Sequence, residues 1–482
     1  MRAETLDLHD HLAQARKPDL FRHCERLLDG FEPDFDFVPI DPLPEAEFAD
    51  RLRRIRRAAI VAGHDAILIH ADSIGWYRTS NSYLRYVCDW AREGVLIVPS
   101  DEDKPLTLYS IFSSSVLLPP AGEPLLVDEI WQVGTWGRES YNRPGKTVTK
   151  VAEAVSEALV HQGLGHGQIG LVGDATSSPY WAAMKALLPR TAFLPCQDIL
   201  DRMQKIRSPR EQALVRAASQ LADIGIQAAY HVIKPGVSDH EIYAAFTYAQ
   251  MARGGEAGDG YQIGINQWGT HCGKPYGHVV RDGDLISLYI SGVTYRGYNS
   301  QIARMVAVGT ITAKQEDVLA MCVEGVERAA ARVKPGALVS EAANASFEPY
   351  IERGYLDCAE SRTMPYAWEA NSDGSPRLVT RKYVPDADWE RQGRRLMHVW
   401  PTTRGPHNPN VGHQVSMPKF EHYNIQSNNH DSFEAGMTFV LHAQWIEPGV
   451  AGCNVGDCYL VTESGVENLS CRTPLAPHRV AA

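Results

Sequence analysis

The hydrophobic pattern changes period several times along the chain. In "EFADRLRRIRRAAIVAGHDAILIHA", starting at Glu45, the positions Leu52, Ile55, Ala58 and Ala59 recur at helical spacing. A Gly-His-Asp turn then separates them from the apolar run "AILIHA". That order predicts a helix followed by a buried strand. Further apolar runs, "EGVLIVPS", "PLTLYSI" and "QIGLVG", read as strands, and "TKVAEAVSEALVHQGLG" reads as a helix. Alternating strands and helices over 45–203 predict a small α/β domain.

From residue 204 the pattern is different. "CQDILDRMQKIRSPREQALVRAASQLADIGIQAAYHVIKPGVSDHE" is mostly helical, with a start signal at Ser208–Glu211 in which Pro209 takes a first-turn position. Strands follow from Tyr261 to Gly309, then two helices over Lys314–Gly354, then the strand-like "VGHQVSM", "MTFVLHAQWI" and "CYLVTE". Helices flanking an antiparallel sheet predict an α+β domain over 204–482. Residues 1–44, rich in Asp and Pro, read as an arm over the surface. The polar, aromatic stretch 361–410 reads as an insertion of the kind that forms lids.

Length and charge narrow the function. A chain of 482 residues is long for one core. The net charge of −11 is spread along it and disfavours nucleic acid as a partner. No apolar run reaches the roughly 20 residues that span a bilayer, and the N-terminus lacks a signal-peptide core. The 9 cysteines are scattered without a CxxC pair, which points to reduced thiols and a cytoplasmic location.

One segment bears on chemistry. "DGDLISLYISGVTYRGYNSQIARM" (282–305) predicts a turn, a buried strand, a hairpin and a second strand, and there is no Asp or Glu between Leu285 and Met305. Together with "KIRSPREQALVRAA", "INQWGTH", "VGHQVSM", "FEAGMTFVLH" and "GDCYLVTESGVENLS", in that order, it resembles the creatinase/prolidase/methionine aminopeptidase (M24) superfamily. The resemblance implies a pita-bread catalytic domain preceded by a smaller α/β creatinase-like domain. Metal-dependent members hold their ions with two Asp, one His and two Glu. The corresponding positions here are Tyr289, Gln301, His413, His442 and Gly456, which keep no carboxylate. Hard divalent cations depend on carboxylate oxygens, so the expectation is no metal and no other cofactor. A single softer ion on His413 and His442, with Tyr289, stays open.

The resemblance implies roles for the remaining candidates. His271 stands at the substrate-facing histidine position and is expected to shuttle a proton. Glu421 would serve as a general base or orient His413. Trp90 and Arg92, in "CDWAREGVLIV", match the segment with which creatinase grips a substrate carboxylate from the partner subunit, which implies a homodimer. Tyr289, Gln301 and His442 would line the substrate pocket, with Arg404 at its rim, while Arg304 stands at a family position that is often structural. Each has a plainer alternative: a backbone-bonded strand histidine, a core pair filling a vacated pocket, or a solvated arginine. Cys272 beside His271 points to the opposite face of a strand and makes no pair with it. The positions at which creatinase holds a guanidinium fall on Ala303 and His442, which argues against creatine itself. The expectation is a metal-independent, creatinase-like hydrolase of a C–N bond other than a peptide bond, in a small carboxylate-bearing molecule. Alternatives are a lyase, a metal-dependent Xaa-Pro peptidase-like hydrolase and a non-catalytic binding protein.

Overall fold

The computed structural model describes residues 26–71, 82–90, 94–110, 125–133, 144–173, 179–256, 261–266, 273–354, 366–370, 376–380, 410–415, 423–447 and 450–482. They fall into two compact units, one of the described residues in 41–206 and the other of those in 26–40 and from 207 onward.

The N-terminal unit has helices α1 (Glu45–Val61), α2 (Ser82–Cys88), α3 (Pro144–His161), α4 (Pro179–Leu187) and α5 (Gln197–Lys205). Its strands are β1 (Ala66–Ala71), β2 (Gly94–Pro99), β3 (Thr107–Ser110), β4 (Glu129–Gln132), β5 (Gln168–Val172) and β6 (Ala192–Pro195). They form one mixed sheet in the order β4-β3-β2-β1-β5-β6. The expected first helix is present, but the stripe it buries is Phe48, Arg51, Ile55 and Ala59. Arg51 takes the place expected of Leu52 because its charge is satisfied inside. It donates to Glu47 and to the Tyr86 carbonyl, with its guanidinium 4.3 Å from the Tyr86 ring centre.

The C-terminal unit has helices α6 (Pro209–Val232), α7 (Asp239–Met251), α8 (Ala313–Ala330) and α9 (Val339–Glu352). The strands β7 (Tyr261–Ile265), β8 (Leu285–Tyr295) and β9 (Tyr298–Val308) precede a separate hairpin, β10 (Tyr366–Ala370) with β11 (Pro376–Thr380), in the 361–410 stretch. Then come β12 (Asn410–Gln414), β13 (Asn424–Gln426), β14 (Thr438–Glu447), β15 (Ala451–Thr462), β16 (Gly465–Asn468) and β17 (His478–Val480). The main sheet runs β13-β12-β14-β15-β9-β8-β7, with β16 on β15 and β17 on β9.

Local chemistry sets these boundaries. Ser208 and Glu211 close a capping box at the start of α6, with Pro209 at its first position. Ser238 with Glu241, and Thr312 with Gln315, do the same for α7 and α8. The β8–β9 hairpin turns on Arg296 and Gly297 at φ +49° and +83°, the double left-handed turn that matches strand twist. Helices α8 and α9 bury Val318, Cys322 and Phe347 in one core with Leu441, Ala443, Cys453 and Val455 of the sheet. The arm packs on this unit: Asp34 and Gln227 exchange two hydrogen bonds, the Ile40 N–H donates to the Tyr295 hydroxyl, and the Ile40 carbonyl accepts from Arg296.

Candidate functional site

Four strands of the main sheet meet in one register row. Tyr289 of β8 stands opposite Ala303 of β9, Ala303 opposite Gly456 of β15, and Gly456 opposite His442 of β14. Antiparallel partners share a face, so the row presents a large polar side chain at each end and the two smallest residues between them. The result is a trough. Its walls thicken by diagonal neighbours. Gln301 donates its amide N–H to the Tyr289 hydroxyl, and His413 of β12 lies beside His442, ring centres 5.5 Å apart at 63°. Tyr289, Gln301 and His442 are buried, while His413 is half-buried.

The His413 Nδ1 sits 2.9 Å from the Gln414 carbonyl, so it carries the proton when the ring is neutral. That tautomer puts the lone pair on Nε2, where it can accept a proton. Two strand residues further along the same face, Gln444 pairs with Asn454. Asn454 is fully buried, and among the described residues neither its amide nitrogen nor its oxygen has a hydrogen-bond partner. Polar residues at period two, His442 and Gln444 on one strand and Asn454 beside Gly456 on the next, were the sequence signal for this patch.

The strands turn a different surface outward. Arg304, next to Ala303, is fully buried on the opposite face. Its guanidinium donates to the carbonyls of Ala303, Gly456, Ser470 and Thr473 and to the Asp457 carboxylate, the last at 2.5 Å. Asp457 also accepts from Ser470 and Asn468. Arg304 is therefore a staple behind the trough and not a pocket residue, and Asp457 is its structural partner. Burial pushes the nearby Asp223 carboxyl up to about 6, against the pull of Arg304.

The described residues do not fit a carboxylate-bridged pair of hard cations. Among them, no group of three or more His, Cys, Asp or Glu is placed to hold a metal ion. Gly456 has no room for a ligand: a Cβ there would lie 2.5 Å from the Leu441 carbonyl oxygen and 2.7 Å from the His442 Cβ. The glycine is what lets β14 and β15 approach at this point.

Of the other candidates, Trp90 is buried in the N-terminal unit, just after Asp89, which adopts a left-handed φ of +52°. His271, Glu421, Arg92 and Arg404 lie outside the described residues. No described helix is long and apolar enough to cross a membrane.

Comparison with known proteins adds the following. The model of metallopeptidase family M24 matches residues 213–463. An uncharacterized hydrolase/peptidase of Sinorhizobium fredii is 34% identical over 177 residues, 36% of this chain and 45% of its own length. An Xaa-Pro dipeptidase of Lactobacillus helveticus is 21% identical over 302 residues, 62% of this chain and 68% of its own. The chain spans 45% to 63% of the length of the first three curated relatives. Among solved structures, an X-Pro aminopeptidase of Thermotoga maritima shares the fold at a TM-score of 0.67 and 16% identity, over 89% of this chain and 99% of that one. The relatives are peptidases. This overturns the expectation of a creatinase-like, metal-independent hydrolase for C–N bonds other than peptide bonds. The expectation weighted the lost carboxylates above the descent of the whole domain.

Proposed function

The chain belongs to metallopeptidase family M24, and from that premise we propose that it acts on the peptide bond of short peptides of the Xaa-Pro type. The observation that carries the reading is the family match over 213–463, which runs through every strand of the trough. Relatives named Xaa-Pro dipeptidases support the substrate class.

The trough supplies complementary groups for such a substrate. The Tyr289 hydroxyl and the Gln301 and Asn454 amides suit a peptide carbonyl and a carboxylate end. Peptide hydrolysis adds water across the C–N bond: a base takes the water proton, the carbonyl carbon gains the oxygen, and the leaving nitrogen gains a proton. His413, through Nε2, and His271 are the groups proposed to move those protons, with Glu421 orienting the water. Because the described donor set does not fit a pair of hard cations, no step is assigned to one.

The finer expectations carried with this reading are a homodimer, in which the Trp90–Arg92 segment serves a second copy, and a cytoplasmic location. A second reading, binding of short peptides without cleavage, is favoured by the carboxylate-free row. One assay tests both. The purified chain is incubated with Ala-Pro, Leu-Pro and Gly-Pro, with chelator or with added manganese, cobalt or zinc, and free proline is measured. Proline release in any of these conditions supports the peptidase. Peptide binding by calorimetry without release supports the second reading, and neither binding nor release overturns both.

A further inference from the structure

Away from the trough, the N-terminal unit holds a shallow cavity of about 590 Å³, open to the surface, between α1 and α5. Its apolar wall is Ala58, Val61, Ile199 and Met203, and its polar lining is Arg54, Arg57, Arg202, His64 and Asp198. Three guanidinium groups thus face one carboxylate, in a chain whose net charge is −11.

The helix distributes its arginines selectively. Arg51 is held by Glu47 and Tyr86, Arg53 by Asp50 at 2.7 Å, and Arg56 by the Pro99 carbonyl at 3.1 Å. Arg54 and Arg57, the two that line the cavity, have no hydrogen-bond or ion-pair partner among the described residues. Across from them, Arg202 is fixed by Asp198 at 2.7 Å. His64 is buried, and its Nδ1 lies 3.4 Å from the Gln168 amide nitrogen. That contact assigns the His64 proton to Nε2, which is left as the ring's donor. Burial keeps the ring below its ordinary pKa, and a bound anion would raise it.

We propose that this cavity binds a small organic oxyanion, with a phosphate or carboxylate head between Arg54, Arg57 and Arg202 and an apolar body against Val61, Ile199 and Met203. Guanidinium forks match either head group, and the volume lies in the range of small-molecule sites. The site does not depend on the peptidase reading.

Calorimetric titration of the full chain with inorganic phosphate, phenyl phosphate and phenylacetate tests it. Phenyl phosphate is expected to bind about tenfold tighter than inorganic phosphate, through the apolar wall. Whichever of phenyl phosphate and phenylacetate binds more tightly identifies the head group. Arg54→Gln/Arg57→Gln is expected to weaken binding about tenfold or more, while Arg53→Gln leaves it unchanged. Each single exposed-site variant, expected to fold as wild type, gives part of the loss. No binding of any probe at millimolar concentration, or equal binding by the double variant, would overturn the proposal.

Discussion

Strands β9 and β15 show two faces made by neighbouring residues, and the faces differ in kind. On one, Ala303 and Gly456 form the floor of a trough walled by Tyr289, Gln301, His413 and His442. On the other, Arg304 and Asp457 pair at 2.5 Å, surrounded by carbonyl and hydroxyl partners that also engage Asp223. Ionic chemistry in this part of the sheet is thus structural. The trough side presents imidazole, phenol and amide groups, and it is the face to which the proposed peptide chemistry is assigned. A charged residue in these strands is therefore not a sign of the reactive face; the register decides which face it serves.

Breaking the structural face should have the largest effect. Arg304→Met leaves Asp457 and Asp223 buried without a cation and is expected to cost about 3–5 kcal/mol in urea unfolding. A loss below about 1 kcal/mol would show that the network is not a staple. The reactive face is next. His413→Ala should lower proline release by roughly 10²-fold or more while unfolding changes little, because the ring is half-buried. Equal activity would remove His413 from the chemistry.

The pH dependence sharpens the contrast further. Asp223 is raised to about 6 in the native state from an ordinary 3.8. The folded chain therefore holds its proton through a window in which the unfolded chain has lost it. Its contribution favours folding at the acid end and declines as pH rises from about 4 to above 6, by roughly 2–3 kcal/mol. Asp223→Asn should flatten that part of the stability profile, and an unchanged slope would assign it elsewhere. Gly456→Ala should cost about 1–3 kcal/mol, since its methyl meets the Leu441 carbonyl. The smallest change expected is Tyr289→Phe, about tenfold in activity with stability within about 1 kcal/mol.

Much of the fold was legible because it is written locally. The capping box at Ser208, the paired helices over Lys314–Gly354 and the strand–hairpin–strand at 285–305 all follow from short patterns. The alignment of Tyr289, Ala303, Gly456 and His442 was not legible as a row, since register between distant strands leaves no local trace. Asn454 was passed over for the same reason. Arg304 was read as a family position that is often structural; which partners hold it was not legible, since they lie more than 150 residues away. Arg51 went unread because a buried arginine needs Glu47 and Tyr86, and only one of them is close in sequence.

The most direct measurement is free proline released from Leu-Pro by the intact chain, set beside His413→Gln, across chelated and metal-supplemented buffers. Release by the wild type that falls by at least about 10²-fold in the variant is the predicted result. Absence of release in every buffer, or equal release by both proteins, would contradict the assignment of peptide chemistry to the trough.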